Sequence, residues 1–161
     1  MKALVASILL VAAAVVAGAW SPQPEPRVDN TMPAATTTEF LAYDVVIDAG
    51  SEPLSAWQVE VKDTLKHARI VGIEGGQPGP YSGAPHYDPK AIQGEHVIIG
   101  AFTTKDAPTG KVRVARLHVM AEGGTPSFTT TITAAAPGGR AFNATLTIQP
   151  HTPDAAPGAK P

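Results

Sequence analysis

Between residues 39 and 148 the chain alternates apolar and polar positions with a period of two, broken by short clusters of glycine, proline and aspartate. Period two marks a strand with one buried face, because successive side chains leave the backbone on opposite sides. Phe40 to Asp48 sends Tyr43, Val45 and Ile47 to one face and Asp44, Val46 and Asp48 to the other. After the turn Ala49-Gly50-Ser51-Glu52-Pro53, Leu54 to Val61 points Trp57, Val59 and Val61 inward against Gln58 and Glu60. Ala68 to Glu74 predicts a third strand, and Val97 to Phe102 is apolar enough for a central one. Pro108-Thr109-Gly110 turns the chain into a long strand, Val112 to Ala121, whose core face is expected to carry Ala115, Leu117 and Val119. Phe128, Thr130 and Ile132 alternate next, and Ala144, Leu146 and Ile148 close the domain. The stretch from Asp63 to His67 is the one helix candidate, and it is too short for more than a turn. The pattern predicts an all-β domain, an antiparallel two-sheet β-sandwich of about seven to nine strands.

The long strand departs from clean alternation. Its second face, Val112, Val114, Arg116, His118 and Met120, is more apolar than a solvent face normally shows. Arg113 meanwhile has core-face parity, so the strand is expected to contain a bulge or to become regular only after it.

Composition sets the limits around this core. The 161 residues suit one domain, and a formal charge of −2 offers no electrostatic footprint for nucleic acid or an anionic membrane. The absence of cysteine removes disulfides and thiol chemistry, leaving apolar burial to hold the core. Eight of the sixteen prolines lie in two flanks, which are read as a linker over residues 20–38 and a disordered tail over 149–161. Residues 1–19 carry one lysine, an apolar run and Ala17-Gly18-Ala19, the three parts of a signal peptide cleaved before Trp20. An uncleaved anchor is the alternative, since the run reaches the short limit for a membrane span. The chain is therefore expected outside the cytoplasm: secreted, periplasmic or at the cell surface.

Two segments resemble a known family. Tyr43-Asp44-Val45-Val46-Ile47-Asp48, a turn, then Ser55-Ala56-Trp57-Gln58-Val59-Glu60-Val61 resembles the opening strands of bacterial cohesin-type domains. Val114-Ala115-Arg116-Leu117-His118-Val119 resembles a later strand of the same family. The likeness implies a jelly-roll sandwich, related in architecture to carbohydrate-binding modules, that binds a protein or a surface without catalysis.

The candidate chemistry points the same way. Asp44 and Asp48 share a strand face but lie about 13 Å apart at strand rise, beyond the spacing of a glycosidase carboxylate pair. No histidine pair has zinc spacing, and Ser82 sits in no nucleophile elbow. Neither an enzyme nor a cofactor is expected. A structural calcium ion is left open, because Asp63, Asp88 and Asp106 fall in loops. The long segment from Gly75 to Pro89 carries Tyr81, His86 and Tyr87 among prolines that restrict it. It is read in two ways: as a binding loop, or as a lid whose tyrosines fold back over the sandwich. Together with Arg116 and His118 on the long strand, these residues form the candidate binding set. The expected ligand is an extracytoplasmic protein. A cell-surface glycan stacked on Tyr81, Tyr87 and an exposed Trp57 is the alternative, and self-assembly through edge strands is a third.

Overall fold

The structure is a computed structural model and describes residues 37–152. The signal segment 1–19 lies outside those residues, as do nearly all of the linker and most of the tail. The described residues form nine strands: β1 (Thr38–Asp48), β2 (Ala56–Asp63), β3 (Ala68–Gly75), β4 (His86–Tyr87), β5 (His96–Phe102), β6 (Lys111–Glu122), β7 (Phe128–Ala135), β8 (Ala141–Phe142) and β9 (Thr145–Pro150). They form two antiparallel sheets, ordered β3-β6-β1-β9 and β4-β5-β2-β7-β8. No helix among the described residues is long and apolar enough to cross a membrane.

The chain changes sheet at every step between its seven long strands, so no two consecutive long strands pair. Each ladder between these long strands joins segments far apart in sequence, and each connection between them crosses an end or a side of the sandwich. The core lies where the inward faces meet. Val45 and Ile47 of β1, Val59 and Val61 of β2, and Leu117 and Val119 of β6 are fully buried, as the alternation predicts.

The long strand does contain a bulge, and it corrects the face assigned to two valines. Val45 pairs with Ala115 and Val46 with Arg113, so Val114 is the extra residue. An extra residue reverses the parity of the strand before it. Val112 and Val114 therefore join the core and do not face outward with Arg116 and His118. A second irregularity, between Ile70 and Gly72, leaves Val71 unmatched in β3.

The domain also runs further than Ile148. Gln149 and Pro150 belong to β9, and the N–H of His151 donates to the Ala42 carbonyl at 2.8 Å. Leu146 and Ile148 are only half-buried, because β9 is the last strand of its sheet.

One carboxylate organises an end of the sandwich. Asp63 closes β2 with 1% of its surface exposed, and Asp63 to His67 forms a turn around it. Its Oδ2 accepts the N–H groups of His67 and Ala68 at 2.6 and 2.8 Å. Its Oδ1 accepts those of Ser127 and Leu65 at 2.9 and 3.3 Å. The connection from β2 to β3 is thereby tied to the one from β6 to β7. Burial alone would push this carboxyl up, but the N–H donors of Ser127, Ala68, Leu65 and His67 together outweigh it and hold the pKa below the usual aspartate value.

A depressed folded pKa fixes the sign of the pH dependence. The stabilisation is present above the unfolded value of about 3.9 and is lost as the pH falls through the folded one. Asp63→Ala strands four N–H donors and should cost about 3 kcal/mol or more by denaturant titration. Asp63→Asn should be less stable at neutral pH and should lose part of the acid-unfolding limb of the parent. An unchanged midpoint in Asp63→Ala would remove the carboxylate from this role.

Candidate functional site

The candidate residues do not form one site. The structure distributes them among the long loop and two sheet faces that point in opposite directions.

Tyr81 belongs to the core, which corrects its place in the binding set. It is 2% exposed, its hydroxyl donates to the Leu54 carbonyl at 2.7 Å, and its ring meets Trp57 edge-on at 5.9 Å between centroids. Burial pushes its pKa up to about 12. Trp57 is itself 4% exposed, so the exposed indole of the glycan reading is also corrected. Tyr87 packs half-buried against the same core. The loop is thus a lid over one side of the sandwich. Two glycines let it sit there: a Cβ on Gly75 would fall 2.0 Å from the Ser82 carbonyl oxygen, and one on Gly76 equally close to that of Arg113. The remaining acidic residue of the loop, Asp88, caps the short 3-10 turn Pro89–Ala91 by accepting the Lys90 N–H at 3.0 Å.

Arg116 and His118 lie on the outer face of the four-stranded sheet. Arg116 Nε donates to Asp44 Oδ1 at 2.8 Å, and Arg113 adds a weaker contact at 3.4 Å. His151 Nδ1 stands 2.9 Å from the Arg116 guanidinium and 3.1 Å from Asp44 Oδ2, so one nitrogen faces a donor and an acceptor. Burial raises the Asp44 pKa, but Arg116, His151 and Arg113 outweigh it and hold the group low. Asp44 and Asp48 share an outer face, as expected, but Asp44 is enclosed in this network and is not solvated. His118 Nε2 approaches Glu74 Oε1 at 2.9 Å, off the hydrogen-bonding direction. Asp44, Arg113, Arg116 and His151 thus hold one another.

His86 leads to the feature that the sequence reading missed. It pairs with Gly100 on the outer face of the five-stranded sheet, and Gly100 pairs with Gln58, which pairs with Thr133. The next row is Phe102, Ala56 and Ala135, and on the other side comes Ile98 beside Glu60 and Thr131. Ala56, Gly100 and Ala135 keep the floor low between taller neighbours. The result is a shallow trough of about 450 Å³, walled by Phe102 at 69% exposure and Ile98 at 45%. Beyond Ile98 the face turns polar, where His96 Nε2 meets Glu60 Oε1 at 2.9 Å and Thr131 reaches the second carboxylate oxygen.

A signal for this trough was present in β5. Val97 to Phe102 is apolar on both faces, yet an antiparallel sandwich buries only one of them. Val97 and Ile99 face the core, leaving Ile98 and Phe102 in water.

The trough is lined mainly by apolar side chains. His86 is its one titratable side chain, and Gln58 and Thr133 are the other polar residues of the lining. Among the described residues no three His, Cys, Asp or Glu side chains are grouped to hold a metal ion. Asp63 directs both oxygens at N–H donors, which is the opposite of a cation site.

Two measurements check the reassignment of Tyr81. In an alkaline absorbance titration its phenol should stay protonated until the pH approaches 12. Tyr81→Phe should cost about 1 kcal/mol through the lost bond to Leu54. Titration near the ordinary tyrosine pKa in the folded protein would contradict the buried placement.

Compared with known proteins, the chain matches no family model, no curated protein and no solved structure.

Proposed function

We propose that this chain is a non-catalytic binding module of the cell exterior, engaging a protein partner through the outer face of its five-stranded sheet. The supporting observation is the contiguous apolar trough of Phe102, Ile98, Ala56 and Ala135 around the floor at Gly100. Covering an exposed phenylalanine is worth about 2 kcal/mol in apolar transfer, and a partner side chain seated in the trough would add its own share. An aromatic wall, a low floor and a polar border at Glu60 and His96 match the anatomy of a protein contact, an apolar centre inside a polar rim.

A glycan would require two or more coplanar aromatic rings open to water. On this face Phe102 is the one exposed aromatic residue, while Trp57 and Tyr81 are sealed beneath the sheet. The protein reading is therefore favoured over the sugar reading. The cohesin-like strand patterns point in the same direction, as a fold-level analogy. The export signal read in residues 1–19 supports the extracytoplasmic setting.

The test places a photo-crosslinking phenylalanine analogue at position 102 of the full chain, expressed in its native cells. A discrete protein adduct is expected, and Ile98→Glu in the same chain should reduce it at least about tenfold, a loss of about 1.4 kcal/mol. Because both positions face solvent, the melting temperature should move by no more than a few degrees. An adduct unaffected by Ile98→Glu would contradict the proposal, as would saturable glycan binding that is lost on Phe102→Ala.

A further inference from the structure

The two edges of the four-stranded sheet are treated differently. On the β3 side a loop closes the edge: Ile70 N–H donates to Gly94 O at 2.9 Å, and Gln93 N–H donates to Ile70 O at 2.8 Å. On the β9 side no strand among the described residues pairs beyond it. The bond from His151 N–H to Ala42 sets the orientation of β9, because alternate residues of a strand turn their backbone groups the same way. Thr145, Thr147 and Gln149 turn theirs toward β1, so Leu146, Ile148 and Pro150 turn theirs outward. Pro150 fits that rule, since an outward position has no ladder bond to lose.

Edge strands are normally blunted by charge or proline; this one carries no charge, and its one proline, Pro150, stands at its last position. From Ala141 to Pro150 there is no Asp, Glu, Lys or Arg. The strand is also self-complementary. Thr145-Leu146-Thr147-Ile148-Gln149 reads polar, apolar, polar, apolar, polar in both directions, so antiparallel pairing with itself sets like beside like.

We propose that two copies of this chain join edge to edge through β9, around a two-fold axis at Thr147. In this register Leu146 of each copy exchanges both backbone hydrogen bonds with Ile148 of the other, and two four-stranded sheets become one of eight strands. The half-buried side chains of Leu146 and Ile148 lie side by side on its inner face and bury each other. The two Thr147 side chains meet on the outer face, with Cβ atoms about 5 Å apart and no charge to separate them. The two-fold axis closes the assembly at a dimer. The trough on the opposite sheet stays free, so this contact is independent of the partner-binding proposal.

Sedimentation of the full chain tests the contact, because Thr147 is exposed and a substitution there leaves the β1 ladder intact. The parent should form a dimer at rising concentration. Thr147→Lys and Thr147→Glu should each raise the dimer dissociation constant at least about tenfold, through like charges on the axis. Mixing the two should restore a one-to-one pair. Thr147→Cys in this cysteine-free chain should oxidise to a covalent dimer, whereas Thr109→Cys, in a turn elsewhere, should not. A parent that stays monomeric overturns the proposal. So does association that Thr147→Lys leaves unchanged, or that Phe102→Asp abolishes.

Discussion

The buried carboxylate of Asp63 holds together what the topology would otherwise leave apart. Because the chain changes sheet between consecutive long strands, closing a ladder between two long strands first requires crossing connections to be ordered. Loop closure has an entropic cost, and without cysteine no covalent bond reduces it. Asp63 offsets part of that cost at one end, gathering the turn after β2 and the entry to β7 onto two oxygens. The bond from Asp63 N–H to Glu95 O brings the approach to β5 to the same point. Three connections therefore share one residue. A topology so rich in distant pairings should also fold slowly for its size.

The other polar groups that looked chemical serve the same end. Tyr81 closes one side by seating its ring on Trp57 and its hydroxyl on Leu54. Asp44, Arg113, Arg116 and His151 bind β1, β6 and the residue after β9 into a single cluster. With these groups committed inside the fold, the outer face of the five-stranded sheet is left as a surface whose apolar side chains have no structural partner. That division of roles underlies the proposal of adhesion in place of catalysis.

The all-β class and the core were legible in the sequence because alternation records burial directly. Tyr43, Val45, Ile47, Trp57, Val59 and Val61 all sit where the period of two puts them. The bulge in β6 was legible from the parity of Arg113, although the valines before it were assigned to the wrong face. Single-residue parity shows that a shift occurs but not where it falls. Tyr81 was ambiguous because an aromatic among prolines suits a lid as well as a binding loop, and only the space above Trp57 decides. The trough was missed for a different reason. Ile98 and Phe102 lie in a run that reads as buried on both faces, and a single chain does not show which of its apolar faces another molecule covers. Asp63 was hidden too, since its four donors come from residues up to 64 positions away.

The claim that one carboxylate makes the crossing connections part of the cooperative fold is tested most directly by amide hydrogen exchange, resolved by residue, on the full chain. The N–H groups of His67, Ala68 and Ser127, though in or beside turns, should exchange as slowly as those of Val59 and Leu117, through global unfolding alone. Exchange of these three at the rate of ordinary surface turns, with the strands still protected, would contradict it.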